Sequence, residues 1–174
     1  HTTSTYNTGW MNGDIKLATL SDTDDTDLVG TELVTNGTFD TDVSGWTTLN
    51  AVISFDSGEI VVTGQSETPA NQAATSTIFH TPNQLVVIEF EITELVANSG
   101  GAGIIVSGSQ IQENNNNSYW YPNAVGKYSS TVKLRSGTST EIKLHAGTKV
   151  GVITKFDNVS VRLAEPDRSV NGNG

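Results

Sequence analysis

Three groups of side chains in this 174-residue chain are of types and spacings that can do chemistry. The first is aromatic. In QIQENNNNSYWYPNAVGKY (110–128), Tyr119, Trp120 and Tyr121 follow four consecutive asparagines. Flat rings stack on the C–H faces of sugars, and Gln110, Gln112 and Asn117 are near enough in sequence to bind hydroxyl groups. Successive side chains of an extended segment point opposite ways, so the three rings cannot all enter one core. Trp120 is expected to be the exposed one; the alternative is a lid folded over the domain with its rings tucked in. The second group is Glu89, Glu91 and Glu94 in EFEITE. Two carboxylates on one strand face are the equipment of glycoside hydrolysis, about 5 Å apart in a retaining enzyme. Alternation alone also explains them, with Val87, Glu89, Glu91 and Thr93 on one face and Ile88, Phe90 and Ile92 on the other. The third is Asp22, Asp24, Asp25 and Asp27. These read either as a calcium loop or as a solvated acidic linker, and they lack the Gly-bearing twelve-residue loop with its terminal Glu. His1, His80 and His145 are scattered, and the sequence holds no P-loop, GxGxxG or HExxH motif.

The elements that must position these groups are strands. From Glu32 onward short apolar or alternating runs recur between turn residues, at 32–35, 51–56, 59–64, 75–80, 84–96, 103–112, 128–135, 140–147 and 152–164. Nine candidates at this spacing predict an all-β fold, a β-sandwich of two antiparallel sheets. Val132 and Leu134, and likewise Ile142 and Leu144, alternate with Lys and Thr, so one face of each strand is buried and the other wet. Residues 1–30 read as an extension with one strand at 14–20, 31–165 as the sandwich, and 166–174 as a connector. Tyr6 and Trp10 in the extension offer either ligand contact or packing between neighbouring modules. The absence of a start Met and the polar, turn-rich tail are what a domain cut from a longer polypeptide shows.

Composition narrows the partners. With 19 acidic against 9 basic residues the formal charge is −10, a surface that repels nucleic-acid phosphates and suits neutral glycans or divalent cations. No run of 18 apolar residues exists, so no membrane partner is expected. There is no cysteine, which excludes disulfides and thiolate metal sites, so a bound metal is the staple to expect.

LVTNGTFDTDVSGWT (33–47) and KFDNVSVRL (155–163) together carry a resemblance. Asn36, Gly37, Phe39, Asp40, Gly45 and Trp46, then Phe156, Asp157, Asn158, Val159 and Ser160, resemble the opening and closing motifs of jelly-roll carbohydrate-binding modules of the family 4/9/22 group. The resemblance spans roughly 32–164, strong at its ends and weak between. It implies a jelly roll, a non-catalytic glycan-binding role, and a structural calcium. Asp40 and Asp157 would be its ligands, with Asp56 or nearby backbone oxygens completing the shell; the alternative is that these aspartates cap turns. Two carboxylates brought together repel unless a cation sits between them, and calcium favours such oxygen ligands. Trp46 and Phe39 are expected in the core. The flanks YNTGWMNGDIKLATLSDTDDTDLVG and VSVRLAEPDRSV resemble those of modules in long structural proteins of marine bacteriophages, implying a virion surface or an extracellular setting.

The expectation is therefore a module that binds a polysaccharide or cell-surface glycan. The alternative is a structural spacer or decoration module contacting neighbouring modules. A glycoside hydrolase using Glu89 and Glu94 resembles laminarinase-like enzymes and is set aside. Glu91 replaces the central Asp of their motif, and a cleft lined with several Trp residues is missing.

Overall fold

A computed structural model describes residues 30–66, 72–96 and 100–164. Its strands are β1 (Thr47–Leu49), β2 (Ala51–Asp56), β3 (Glu59–Gly64), β4 (Ala73–Phe79), β5 (Leu85–Val96), β6 (Gly103–Val106), β7 (Gln110–Ile111), β8 (Tyr119–Trp120), β9 (Gly126–Lys133), β10 (Ser139–His145) and β11 (Ile153–Leu163). Two antiparallel sheets form, one ordered β1-β4-β10-β6-β8 and the other β2-β3-β11-β5-β9-β7. The result is the expected β-sandwich jelly roll. Among the described residues the one helical turn is of the 3-10 type, Gln112–Asn114, and no helix is long and apolar enough to cross a membrane. The expected strand at 14–20, the Asp22–Asp27 cluster, Tyr6, Trp10 and the connector 166–174 lie outside the described residues.

Alternation builds the core. Ile60 and Val62 of β3, Val86, Ile88, Phe90 and Ile92 of β5, Ile142 and Leu144 of β10, and Phe156, Val159 and Val161 of β11 are all buried between the sheets. Their strand neighbours Glu89, Glu91, Lys155 and Asp157 are thereby turned to the outer face of the six-stranded sheet. Phe39 and Trp46 are buried as expected, with ring centroids 5.6 Å apart.

Chain entry and exit lie side by side. Glu32 bridges Arg162, and Gly30 rests against the backbone of Leu163. The Glu32 carboxylate accepts four hydrogen bonds, from Ser160 Oγ (2.5 Å), the Val161 N–H (2.8 Å), the Val34 N–H (3.0 Å) and Arg162 Nε (3.2 Å). Burial opposes its charge, but those bonds outweigh it and hold its pKa below the usual carboxylate range.

Three expectations change. The run at 32–35 is a single bridge rather than a strand, because Glu32 spends its side chain on β11. The run at 103–112 breaks at Ser107–Ser109 into β6 and β7, which belong to different sheets. Gly108 takes a left-handed φ of 70° there, where the chain crosses between layers. Finally, β1 and β8 are strands of three and two residues that periodicity did not reveal.

Candidate functional site

The aromatic loop divides its rings between the two sides of the five-stranded sheet. In β8, Trp120 lies opposite the buried Ile104 and Tyr119 opposite Ile105. Paired residues share a face, so Trp120 turns inward and Tyr119 outward. Trp120 is half-buried in an aromatic cluster, edge-on to Phe90 (5.6 Å) and to Tyr128 (5.4 Å). The expectation that Trp120 is the exposed ring is therefore corrected. Tyr119 is the exposed one, at 43%. It stacks on Tyr121 at 5.1 Å and 24°, and Tyr121 lies 5.3 Å from the His145 ring. Burial, with Tyr119 a smaller contributor, pushes the Tyr121 phenol up to about 12, so it is a neutral hydroxyl at any physiological pH.

Register continues this platform across the sheet. Tyr119, Ile105, Lys143, Thr75 and Thr47 form one outward row over five strands. The Thr47 and Thr75 hydroxyls are 2.7 Å apart. Lys143 is held by Glu141 at 3.2 Å and is largely covered, at 14% exposure. In the next row His145 is buried, its Nδ1 2.6 Å from the Gly101 carbonyl. A carbonyl only accepts, so Nδ1 carries the proton. The strip thus combines an aromatic face with hydroxyls and a charged pair, which is what a polyhydroxyl ligand uses. Lys143, Ile105 and Thr75 escaped sequence reading. Their signal was present, since each alternates with a core residue and so must face out.

The remaining loop residues do not join the strip. Gln110 sits on β7 in the other sheet, opposite Lys133, and Gln112 is exposed in the 3-10 turn. Asn117 spends its amide on the loop itself, donating to the Asn114 carbonyl at 2.9 Å. Asn114 likewise donates to the Tyr119 carbonyl at 2.6 Å. The asparagine run therefore shapes the loop, with Asn115 and Asn116 both at positive φ.

Carboxylates gather on the opposite sheet. β11 bulges between Asp157 and Ser160, where Asn158 takes a φ of 52°. There Asp157 stands opposite Glu91. Burial raises the pKa of Asp157; the Asn158 N–H opposes this, while Glu91, Glu59 and Asp40 add to the rise. Asp40 and Asp157 are thus in electrostatic range, 117 positions apart in sequence as 157 less 40. The segment carrying Asp40 is tied to the bulge by the Val159 N–H donating to the Gly37 carbonyl at 2.8 Å. Asp56 does not join this pair. It accepts from Lys155 at 2.9 Å, and Lys155 is also 2.8 Å from Glu94 and 3.8 Å from Glu59. Among the described residues no three His, Asp or Glu side chains converge as a ready metal cage. Glu89 and Glu94 also part company, Glu94 being ion-paired to Lys155.

No protein-family model matches the chain, and no curated protein matches it in sequence. Solved structures do match in shape. A CBM4 structure superposes with a TM-score of 0.52 at 14% identity, covering 75% of this chain and 99% of that one. The fold is that of a carbohydrate-binding module. A CBM22-1 xylan-binding domain from Paenibacillus barcinonensis Xyn10C gives 0.50 at 18% identity, covering 79% and 97%. The enzymatically active domain of tailspike protein 4 from bacteriophage CBA120 gives 0.50 at 17%, covering 76% of this chain and 21% of that one. At these identities the likeness is one of fold.

Proposed function

We propose that this module binds a polysaccharide or cell-surface glycan without cleaving it, through the outward strip of the five-stranded sheet. The observation that carries the reading is the exposed Tyr119 stacked on Tyr121, aligned with Ile105, Lys143 and Thr75. A ring pair of this kind offers a flat apolar face, and the polar groups beside it satisfy hydroxyls. The shared fold with a domain described as xylan-binding supports a polysaccharide as the ligand class. Affinity electrophoresis against a panel of soluble polysaccharides tests it: retardation of the wild type should be lost in Tyr119→Ala. Retardation unchanged by that substitution would move the site elsewhere.

A structural calcium is the second part of the proposal. Asp40 and Asp157 would hold it, with backbone carbonyls completing the shell. What supports this fit is the raised Asp157 beside Asp40, Glu59 and Glu91, a charge arrangement that a cation relieves. Asp56 is better read as the partner of Lys155. When bound, the ion would supply cross-linking between the entry segment and β11, not chemistry. An extracellular or virion-surface location agrees with a glycan ligand.

One observation favours a second reading, a spacer or decoration module. Entry and exit meet at Gly30 and Leu163, which suits insertion between neighbouring modules. Mass photometry of the chain with and without residues 1–30 separates the two. Concentration-dependent assembly that needs those residues, with no glycan retardation, would favour the spacer.

A further inference from the structure

We propose a second ligand site on the opposite sheet: a pocket that takes a single hydroxyl-rich ring, such as one sugar unit. It lies over β5 and β9 beside the β11 bulge, lined by Glu89, Glu91, Lys127, Tyr128, Ser129 and Asn158, with a volume of about 290 Å³. That size stands at the lower end of small-ligand pockets, room for one ring rather than a chain. The bulge makes it. Two residues, Asn158 and Val159, face one across β5, and the ladder opens where Asp157 pairs with Glu91 and Ser160 with Glu89.

The lining is divided between fixed and free groups. Asn158 donates one amide hydrogen to Glu91 at 3.0 Å and the other to Asp157 at 2.9 Å. Lys127 approaches Glu91 at 3.6 Å while remaining 79% exposed. Glu91 is therefore braced from two sides. Glu89 is half-buried, and its side chain has no hydrogen bond or ion pair among the described residues. Ser129 stands directly opposite it on β9. A lone cation would be opposed by Lys127 beside the same carboxylates, and an anion by Glu89 and Glu91. A ring whose every hydroxyl both donates and accepts can satisfy Glu89, Ser129 and Lys127 at once. The pocket does not depend on the tyrosine strip, which lies on the other sheet.

Amide chemical shifts of the ¹⁵N-labelled protein, titrated separately with glucose, galactose, mannose, xylose and N-acetylglucosamine, test the proposal. At least one sugar should shift the amides of 89–91, 127–129 and 158, with affinity in the millimolar range expected of one ring. The shifts should be the same in Tyr119→Ala, and the affinity roughly tenfold weaker in Glu89→Gln, which keeps the volume and removes the charge. Ser129→Ala provides a second, smaller loss. No shift at these amides with any of the sugars, or shifts that Glu89→Gln leaves unchanged, overturns the pocket. Shifts confined to 119–121 and 143 would leave the tyrosine strip standing and this site refuted.

Discussion

Individual residues set the ligand strip and the Glu32 bonds that join the entry segment to β11. Tyr119 and Trp120 are neighbours in sequence, yet they face opposite sides of the sheet, and their substitutions should separate accordingly. Tyr119→Ala removes exposed area and should leave the melting temperature within a degree or two of wild type while glycan binding falls. Trp120→Ala removes a half-buried ring from the Phe90–Tyr128 cluster and should cost about 2–4 kcal/mol in urea unfolding. Equal stability in the two variants would contradict the assignment of faces. Glu32 gives a pH prediction. Its pKa is depressed in the fold, so its stabilisation is complete above the unfolded value near 4.3 and is lost as pH falls through the lower folded value. Glu32→Gln should therefore lower stability at neutral pH by about 1 kcal/mol at most, its side chain being a third exposed and screened by solvent, and flatten the acid limb of the stability curve. The pair of rings was legible in the sequence; which of them faces out was not. A period of two fixes alternation and leaves the phase to the partner strand, and Ile104 sets that phase here.

At the scale of elements, the opening loop and the β11 bulge fit into one another. Asn36, at a φ of 53°, donates to the Asp42 and Ser44 carbonyls at 3.0 and 3.1 Å and accepts from Trp46 Nε1 at 3.0 Å through its own carbonyl. Beside it, a Cβ on Gly37 would stand 1.8 Å from the Val159 carbonyl oxygen, a backbone atom that cannot step aside. Gly37→Ala should therefore cost more than about 2 kcal/mol and disturb the Val159 hydrogen bond, read as faster amide exchange at Val159. Asn158 tolerates its left-handed φ as Asn does, so Asn158→Gly should fold normally while Asn158→Val loses about 1–2 kcal/mol. Both motifs were visible as residue patterns, because a turn or a close backbone approach restricts which residue types can stand there. Runs 51–56 and 59–64 coincide with β2 and β3 for a similar reason: a two-residue turn, with Ser57 and Gly58 both at positive φ, forces them to pair. Strand β1 was hidden because Thr47–Leu49 gains its order from Thr75 and its neighbours on β4 rather than from apolar alternation. Strand β8 was hidden because two residues are too few to show a period.

Taken whole, the molecule is a sandwich with two chemically different outer faces. One carries the tyrosines; the other carries Asp157, Glu91, Glu59, Glu94 and Lys155. A cation at the second face should stabilise the entire fold, since the proposed site would exist only when Asp40 and Asp157 are brought together. At a hundredfold excess over its Kd, calcium should add about 2.7 kcal/mol, seen as a melting temperature several degrees higher than in EDTA. Asp157→Asn should erase that difference without lowering the melting temperature in EDTA, because it removes a carboxylate whose charge the fold disfavours. An identical calcium response in Asp157→Asn would refute the proposed calcium site. The most direct test of the central claim is affinity electrophoresis of the wild type and Tyr119→Ala on gels cast with xylan, β-glucan, mannan or other soluble polysaccharides. We predict retardation of the wild type by at least one of these and none for Tyr119→Ala at unchanged melting temperature. Retardation of both to the same extent, or of neither by any polysaccharide, would contradict glycan binding through the tyrosine strip.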